Sequence, residues 1–167
     1  MFGHRAAEPI PWKQNSHREA TMASIIETPA AAPTCRLIRA GEAFQGKQGL
    51  MYSPAISAEA VGSKAIHMQL VTIPPGGRAK AHKHACHETA VYMLSGVSGM
   101  WYGNELEHHY LLQPTEFLYI PADMPHLPYN PSTTETAVAL ICRTDPNEQE
   151  SVVLLPHLDA LHPVEPA

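Results

Sequence analysis

The chain has few cysteines and no long apolar run. Its three cysteines, Cys35, Cys86 and Cys142, are far apart and form no CxxC pair. A disulfide scaffold is therefore not expected, and the cytoplasm is the expected compartment. No apolar stretch approaches the roughly 18 residues needed to cross a bilayer. The first 20 residues lack the apolar core of a secretory signal.

The charge and the aromatic content narrow the range of partners. The formal net charge is −5 without a block of like charge, and aromatic residues make up only 7% of the chain. Nucleic acids and membrane surfaces attract basic patches, and base stacking requires exposed aromatic rings. We therefore expect a small-molecule substrate, with no nucleic-acid and no membrane partner.

Beyond about residue 33, the sequence consists of short β-prone segments separated by Gly and Pro turns. The segment AIHMQLVTI (65–73) alternates with a period of two, which is typical of a half-buried strand. This pattern predicts an all-β fold, a single small barrel over 34–156. A disordered N-terminal arm over 1–33 and a C-terminal tail over 157–167 flank it. Further strand candidates are CRLIRA, TAVYMLS, GMWYG, HHYLLQ, EFLYI, HLPYN, TAVALICR and SVVLL.

Histidine is the informative residue type, with eleven in the chain. His82, His84, His87 and Glu88 lie within seven positions. Residues i and i+2 of a strand point to the same side, so His82 and His84 face one point. Imidazole and carboxylate ligands suit Zn, Fe, Mn, Ni or Cu. His126 opens a later strand candidate, and an antiparallel pairing would place it against the His82/His84 pair.

At these residues the sequence resembles the cupins, in particular the small single-domain metal-binding cupins of bacteria. Gly76, His82, His84 and Glu88 fit the first part of the first cupin motif, which ends at Gly96. Thr115, Pro121, Asp123, His126 and Asn130 occupy the places of the second motif, with Thr115 and Asp123 in place of glycines.

The resemblance implies a double-stranded β-helix, or jelly-roll, barrel that holds one divalent transition metal per chain (Fe, Zn, Mn or Ni). It also implies a homodimer. The substrate would be an enol, an organic acid, or an aromatic or polyketide compound. The chemistry would be that of a dioxygenase if the ion is redox-active Fe, or that of an isomerase, lyase or cyclase if it is Zn. The alternative is a barrel that binds or senses a small molecule without turnover.

The position of the glutamate departs from the family pattern. Glu88 lies eight residues before Gly96, whereas the pattern places the glutamate seven before, where Thr89 stands. A regular strand would turn His87 and Thr89 inward and Glu88 outward, and a bulge would turn Glu88 inward. The further ligand beside His82 and His84 is therefore Glu88 or His87, and both together are a third alternative. The one that is not a ligand is the candidate catalytic group for moving a proton.

The remaining candidates have simpler interpretations. His67 could face the lumen beside Gln69, but a lone histidine on a strand is more often structural. Cys86 lies between ligand candidates, and we interpret it as a structural thiol rather than a ligand.

Overall fold

The structure, a computed structural model, describes residues 34–148 and 151–162. The predicted N-terminal arm (1–33) and the end of the predicted tail (163–167) lie outside the described residues. No helix in the described ranges is long and apolar enough to span a membrane. The elements are β1 (Phe44–Gln45), β2 (Met51–Ile56), α1 (Ala58–Val61), β3 (His67–Ile73), β4 (His82–His84), β5 (Thr89–Ser95), β6 (Ser98–Tyr102), β7 (His108–Leu112), β8 (Phe117–Ile120), β9 (His126–Tyr129), β10 (Ala137–Arg143), β11 (Val152–Leu154) and α2 (Pro156–Asp159).

The strands form two antiparallel sheets. One sheet has the strand order β1-β2-β3-β10-β5-β8, and the other has the order β11-β4-β9-β6-β7. Strands distant in sequence therefore lie side by side, as β3 does with β10 and β4 with β9. This confirms the predicted all-β fold, a jelly-roll barrel with an interior between its sheets.

The inner face of β3 is partly polar. Every second residue from His67 to Ile73 is buried, and the residues between them are partly exposed. The predicted two-faced strand is confirmed, and its buried face carries His67 and Gln69. His67 Nε2 lies 3.1 Å from Gln69 Oε1, so these two buried atoms are paired by a hydrogen bond.

The apolar core lies between the sheets, and a smaller cluster extends it toward the C-terminal segment. In the smaller cluster, Leu158 of α2 packs with Ala81, Leu106 and Leu127. Residues past position 156 thus contribute to the packing, while the domain boundaries stay a prediction. The main core consists of Leu50, Tyr52, Val71, Ile73, Ala79, Val91, Met93, Met100, Leu112, Ile120, Ala137 and Ala139.

The prediction was wrong at the start of the barrel. CRLIRA (35–40) forms no strand, and its Leu37 is 96% exposed. The first long strand is β2, which the sequence analysis did not identify because it contains Pro54. β2 pairs with β3 along its length but with β1 only at Met51 and Tyr52. Pro54 lacks an N–H and lies beyond that short pairing, and its carbonyl accepts a hydrogen bond from the N–H of Gly41 at 2.8 Å.

Thr115 and Asp123, which stand where the second motif has glycines, adopt left-handed backbone conformations. The φ angle is 75° at Thr115 and 62° at Asp123. A left-handed φ favours glycine, which accounts for the family's choice at these places. Aspartate tolerates this region fairly well, whereas the β-branched Thr115 is strained there.

We predict that Thr115→Gly stabilises the protein. The change removes backbone strain at an exposed side chain, and this gain exceeds the added entropy of the unfolded chain, for a net of about 0.5–1 kcal/mol. Urea unfolding measures it. Thr134→Gly is the control, because Thr134 is also exposed but has no positive φ. A destabilised Thr115→Gly variant would contradict the assigned strain.

Candidate metal centre

Three histidines converge where β4 pairs with β9. The register places His82 directly opposite His126, and His84 lies two residues along β4 on the same side. One ligand nitrogen from each ring lies within 4.8 Å of the others, and all three residues are buried. The predicted antiparallel approach of His126 to the His82/His84 pair is what the structure shows.

Backbone carbonyls orient two of the three rings. His82 Nδ1 donates to the carbonyl of Lys80 at 2.7 Å, and His126 Nδ1 donates to that of Met124 at 2.8 Å. A carbonyl only accepts, so in each ring Nδ1 carries the proton and Nε2 presents a lone pair. This fixed tautomer is how proteins prepare histidines for a metal ion.

Burial disfavours the charged form of the His126 imidazole. Burial is the main cause that lowers the pKa of His126 well below its usual value, and the neighbouring His82 and His84 lower it further. A neutral imidazole is the form that binds a metal. Three imidazole nitrogens as ligands fit a divalent transition metal.

The three histidines form part of the wall of a cavity of about 50 Å³ between the sheets. Because one water needs about 10–15 Å³ on this measure, the cavity holds a few waters or one small molecule. Its described lining contains no Asp, Glu, Lys or Arg. Its polar members besides the histidines are Gln48, Tyr52, Gln69, Thr89 and Ser98, and the rest of the wall is mainly apolar.

Glu88 lies on the outside of the barrel. Its side chain is exposed and accepts a hydrogen bond from the hydroxyl of Tyr119 at 2.7 Å. That hydrogen bond is the main cause that raises the pKa of Tyr119. Thr89, the next residue, is buried and lines the cavity. Thr89, Val91 and Met93 alternate inward, so the strand follows the regular arrangement here.

His87 is buried beside the cluster but does not line the cavity. Its ring centre lies 4.9 Å from that of His84, and its Nδ1 lies 3.1 Å from Ser151 Oγ. Of the predicted ligands, the structure groups His82, His84 and His126, and leaves His87 and Glu88 outside that group. Cys86 is exposed. The roles of His87 and Glu88 as ligands or catalytic groups stay predictions.

Sequence reasoning missed part of the cavity wall. Gln48 and Tyr52 line the cavity, and Gln48 Nε2 donates to the Tyr52 hydroxyl at 2.5 Å. Both belong to the segment around β1 and β2. Tyr52 is the buried residue of β2, and the four residues after it are all partly exposed, so β2 shows no alternation that could have identified Tyr52. Gln48 lies in a turn and carries no such signal.

The comparisons with known proteins agree with this architecture. Residues 69–142 match the family model described as "Cupin_2: Cupin domain". Auxin-binding protein 4 of Zea mays is 28% identical over 107 residues, which cover 60% of this chain and 52% of that protein. Auxin-binding protein 5 of Zea mays is 30% identical over 87 residues, 48% of this chain and 57% of that protein. The chain thus matches about half the length of these curated relatives.

Solved structures show the same barrel. An oxalate decarboxylase from Bacillus subtilis is 26% identical with a TM-score of 0.58, and the match covers 73% of this chain and 31% of that one. A putative sugar phosphate isomerase from Acidithiobacillus ferrooxidans, at 24% identity and a TM-score of 0.52, matches 71% of this chain and 86% of its own. This second likeness concerns the fold alone. The family match over residues 69–142, together with two facing sheets around a histidine cluster, supports a small domain of the cupin superfamily.

Proposed function

We propose that this chain is a metal-dependent cupin enzyme that acts on a small organic acid or enol. One observation carries the proposal: His82, His84 and His126 present nitrogen ligands within 4.8 Å of one another at the wall of a cavity. Three protein ligands leave coordination positions open for a substrate, which is the arrangement of catalytic rather than structural metal sites.

The residues of the chain would divide the work between holding the ion and excluding water. The three histidines would hold a divalent ion, which would polarise a substrate oxygen or acidify a bound water. Val91, Met93 and the other apolar residues of the lining limit the water around it. The small cavity favours an organic acid or enol over an aromatic polyketide.

The matched structures support a small acid and, among the metals, manganese. The Bacillus subtilis protein acts on oxalate by its name, and one of its matched structures, 25% identical to this chain, is described as containing Mn(II) centres. Three neutral nitrogens also accept Fe, Zn or Ni. Redox-active Fe or Mn would favour oxidative chemistry such as that of a dioxygenase, and Zn would favour an isomerase or cyclase.

A non-catalytic binding barrel is the second candidate. The relatives from Zea mays are named as auxin-binding proteins, and a cupin that binds without turnover would use the same cavity. The proton-moving role of His87 or Glu88, the homodimer and the cytoplasmic location stay proposals beside either function.

We predict turnover of a small carboxylic acid by the metal-loaded protein. Purified protein would be analysed for bound metals, loaded with Mn(II) or Fe(II), and incubated with a panel of small acids that includes oxalate. Loss of the acid and release of CO₂ would be followed by chromatography and gas analysis. One bound metal ion per chain, together with consumption of at least one acid of the panel, would support the proposal that the protein is an enzyme. Binding without consumption across the panel would favour the binding barrel.

We predict that His126→Ala removes most of the bound ion while the barrel stays folded. Loss of one of three ligands should weaken metal binding at least about tenfold. Metal content is measured by mass spectrometry and folding by circular dichroism. His108→Ala is the matched control, because His108 is exposed on β7. Equal metal content in the two variants would contradict the site.

We predict that Glu88→Gln keeps the metal content of the unchanged protein within about twofold, as expected for a surface substitution. Glu88 is exposed and contacts Tyr119 rather than the histidine cluster. The same metal analysis measures this, and His126→Ala serves as the positive control. Loss of metal from Glu88→Gln would show that the glutamate turns inward when the ion binds.

A further inference from the structure

Thr89 occupies the place in the first motif where the family pattern has a glutamate, seven residues before Gly96. It is only 3% exposed and lines the same cavity as His82, His84 and His126. Its Oγ1 is buried and has no hydrogen-bond partner among the residues that the structure describes. A buried hydroxyl normally has a hydrogen-bond partner, so we expect a ligand in the cavity to bond to this one.

The second observation is the charge of the cavity. The inward place of a carboxylate is held by a neutral hydroxyl, and Glu88 faces away on the outer side. Over the described ranges, the lining contains no carboxylate at all. A divalent ion on three neutral imidazoles would therefore keep its full charge in a mainly apolar cavity. Such a charge is costly unless an anion accompanies it.

We infer that the site takes up a small carboxylate anion together with the metal ion, and that the Thr89 hydroxyl donates a hydrogen bond to that anion. The anion supplies the negative charge that the family's glutamate would bring, and it is the substrate or a close analogue of it. Thr89 is then a specificity-determining residue. This inference rests on the proposed function, because it requires the metal site.

Ser98 differs from Thr89 although it also lines the cavity. The Ser98 hydroxyl donates to backbone carbonyls of Gly99 and Tyr129, each at 3.3 Å. Its hydrogen-bonding need is met by the barrel itself. Thr89 is the hydroxyl that remains for a ligand in the described lining.

The test compares Thr89→Val with Thr89→Ser. Valine keeps the shape and removes the donor, whereas serine keeps the donor. Protein loaded with Mn(II) is titrated calorimetrically with oxalate and with neutral oxamide, and metal content is measured before and after. We expect oxalate to bind more tightly than oxamide. We expect the Kd for oxalate to rise about tenfold or more in Thr89→Val, and to stay within about threefold in Thr89→Ser.

Thr89→Glu provides a second measurement. Its carboxylate would restore an internal negative charge, so we expect metal to be retained and oxalate to bind more weakly. The electron paramagnetic resonance spectrum of Mn(II) should require a higher oxalate concentration to change in this variant than in the unchanged protein. Oxalate binding in Thr89→Glu that is as tight as in the unchanged protein would overturn the charge argument.

The outcomes separate this inference from the proposed function. An unchanged protein that binds no metal would end the proposed function. A protein that holds metal but binds oxalate no better than oxamide would overturn the anion inference alone. Unchanged oxalate binding in Thr89→Val, or loss of its metal, would overturn the role of the Thr89 hydroxyl.

Discussion

The antiparallel pairing of β4 with β9 is the constraint on which the site depends. It sets His82 directly opposite His126, and a slip of one residue would turn one of these rings to the other face of the sheet. Both strands are short, so their register is held from outside. β11 pairs with β4 on one side, and β6 pairs with β9 on the other, where Tyr102 lies opposite His126.

Burial in this sheet produces both the geometry and the chemistry of the cluster. The carbonyls of Lys80 and Met124 fix the protons of two rings on the side away from the cluster. The same burial lowers the pKa of His126, so its nitrogen is a ligand rather than a cation. The three converging imidazoles bring one ligand nitrogen each to within 4.8 Å of the others, where a single ion could bind all three.

Local patterns predicted the parts of the fold and site that local forces determine. The alternation of β3 and β5 is visible in the sequence, and so are the spacing of His82 and His84 and the motif that includes His126. The sequence did not show which of Glu88 and His87 faces inward. That depends on whether the strand is regular, and a bulge leaves no clear mark in one sequence. The strand predicted at CRLIRA was wrong for a related reason. A β-prone segment needs a neighbouring strand to pair with, and the sequence alone does not show whether that neighbour is present.

The departures from the cupin pattern fall into two physical kinds. At positions 115 and 123 the backbone has a positive φ, which the family's glycine adopts without strain. Thr115 and Asp123 adopt the same positive φ at some cost in strain. The backbone conformation of these turns is therefore kept. At Thr89 the backbone demand is absent, since the residue is an ordinary inward position of β5. What changes there is the charge of the side chain that would lie beside a bound ion. A barrel that keeps three imidazoles and gives up the inward carboxylate depends on its ligand for neutrality, so the same fold becomes selective for an anion.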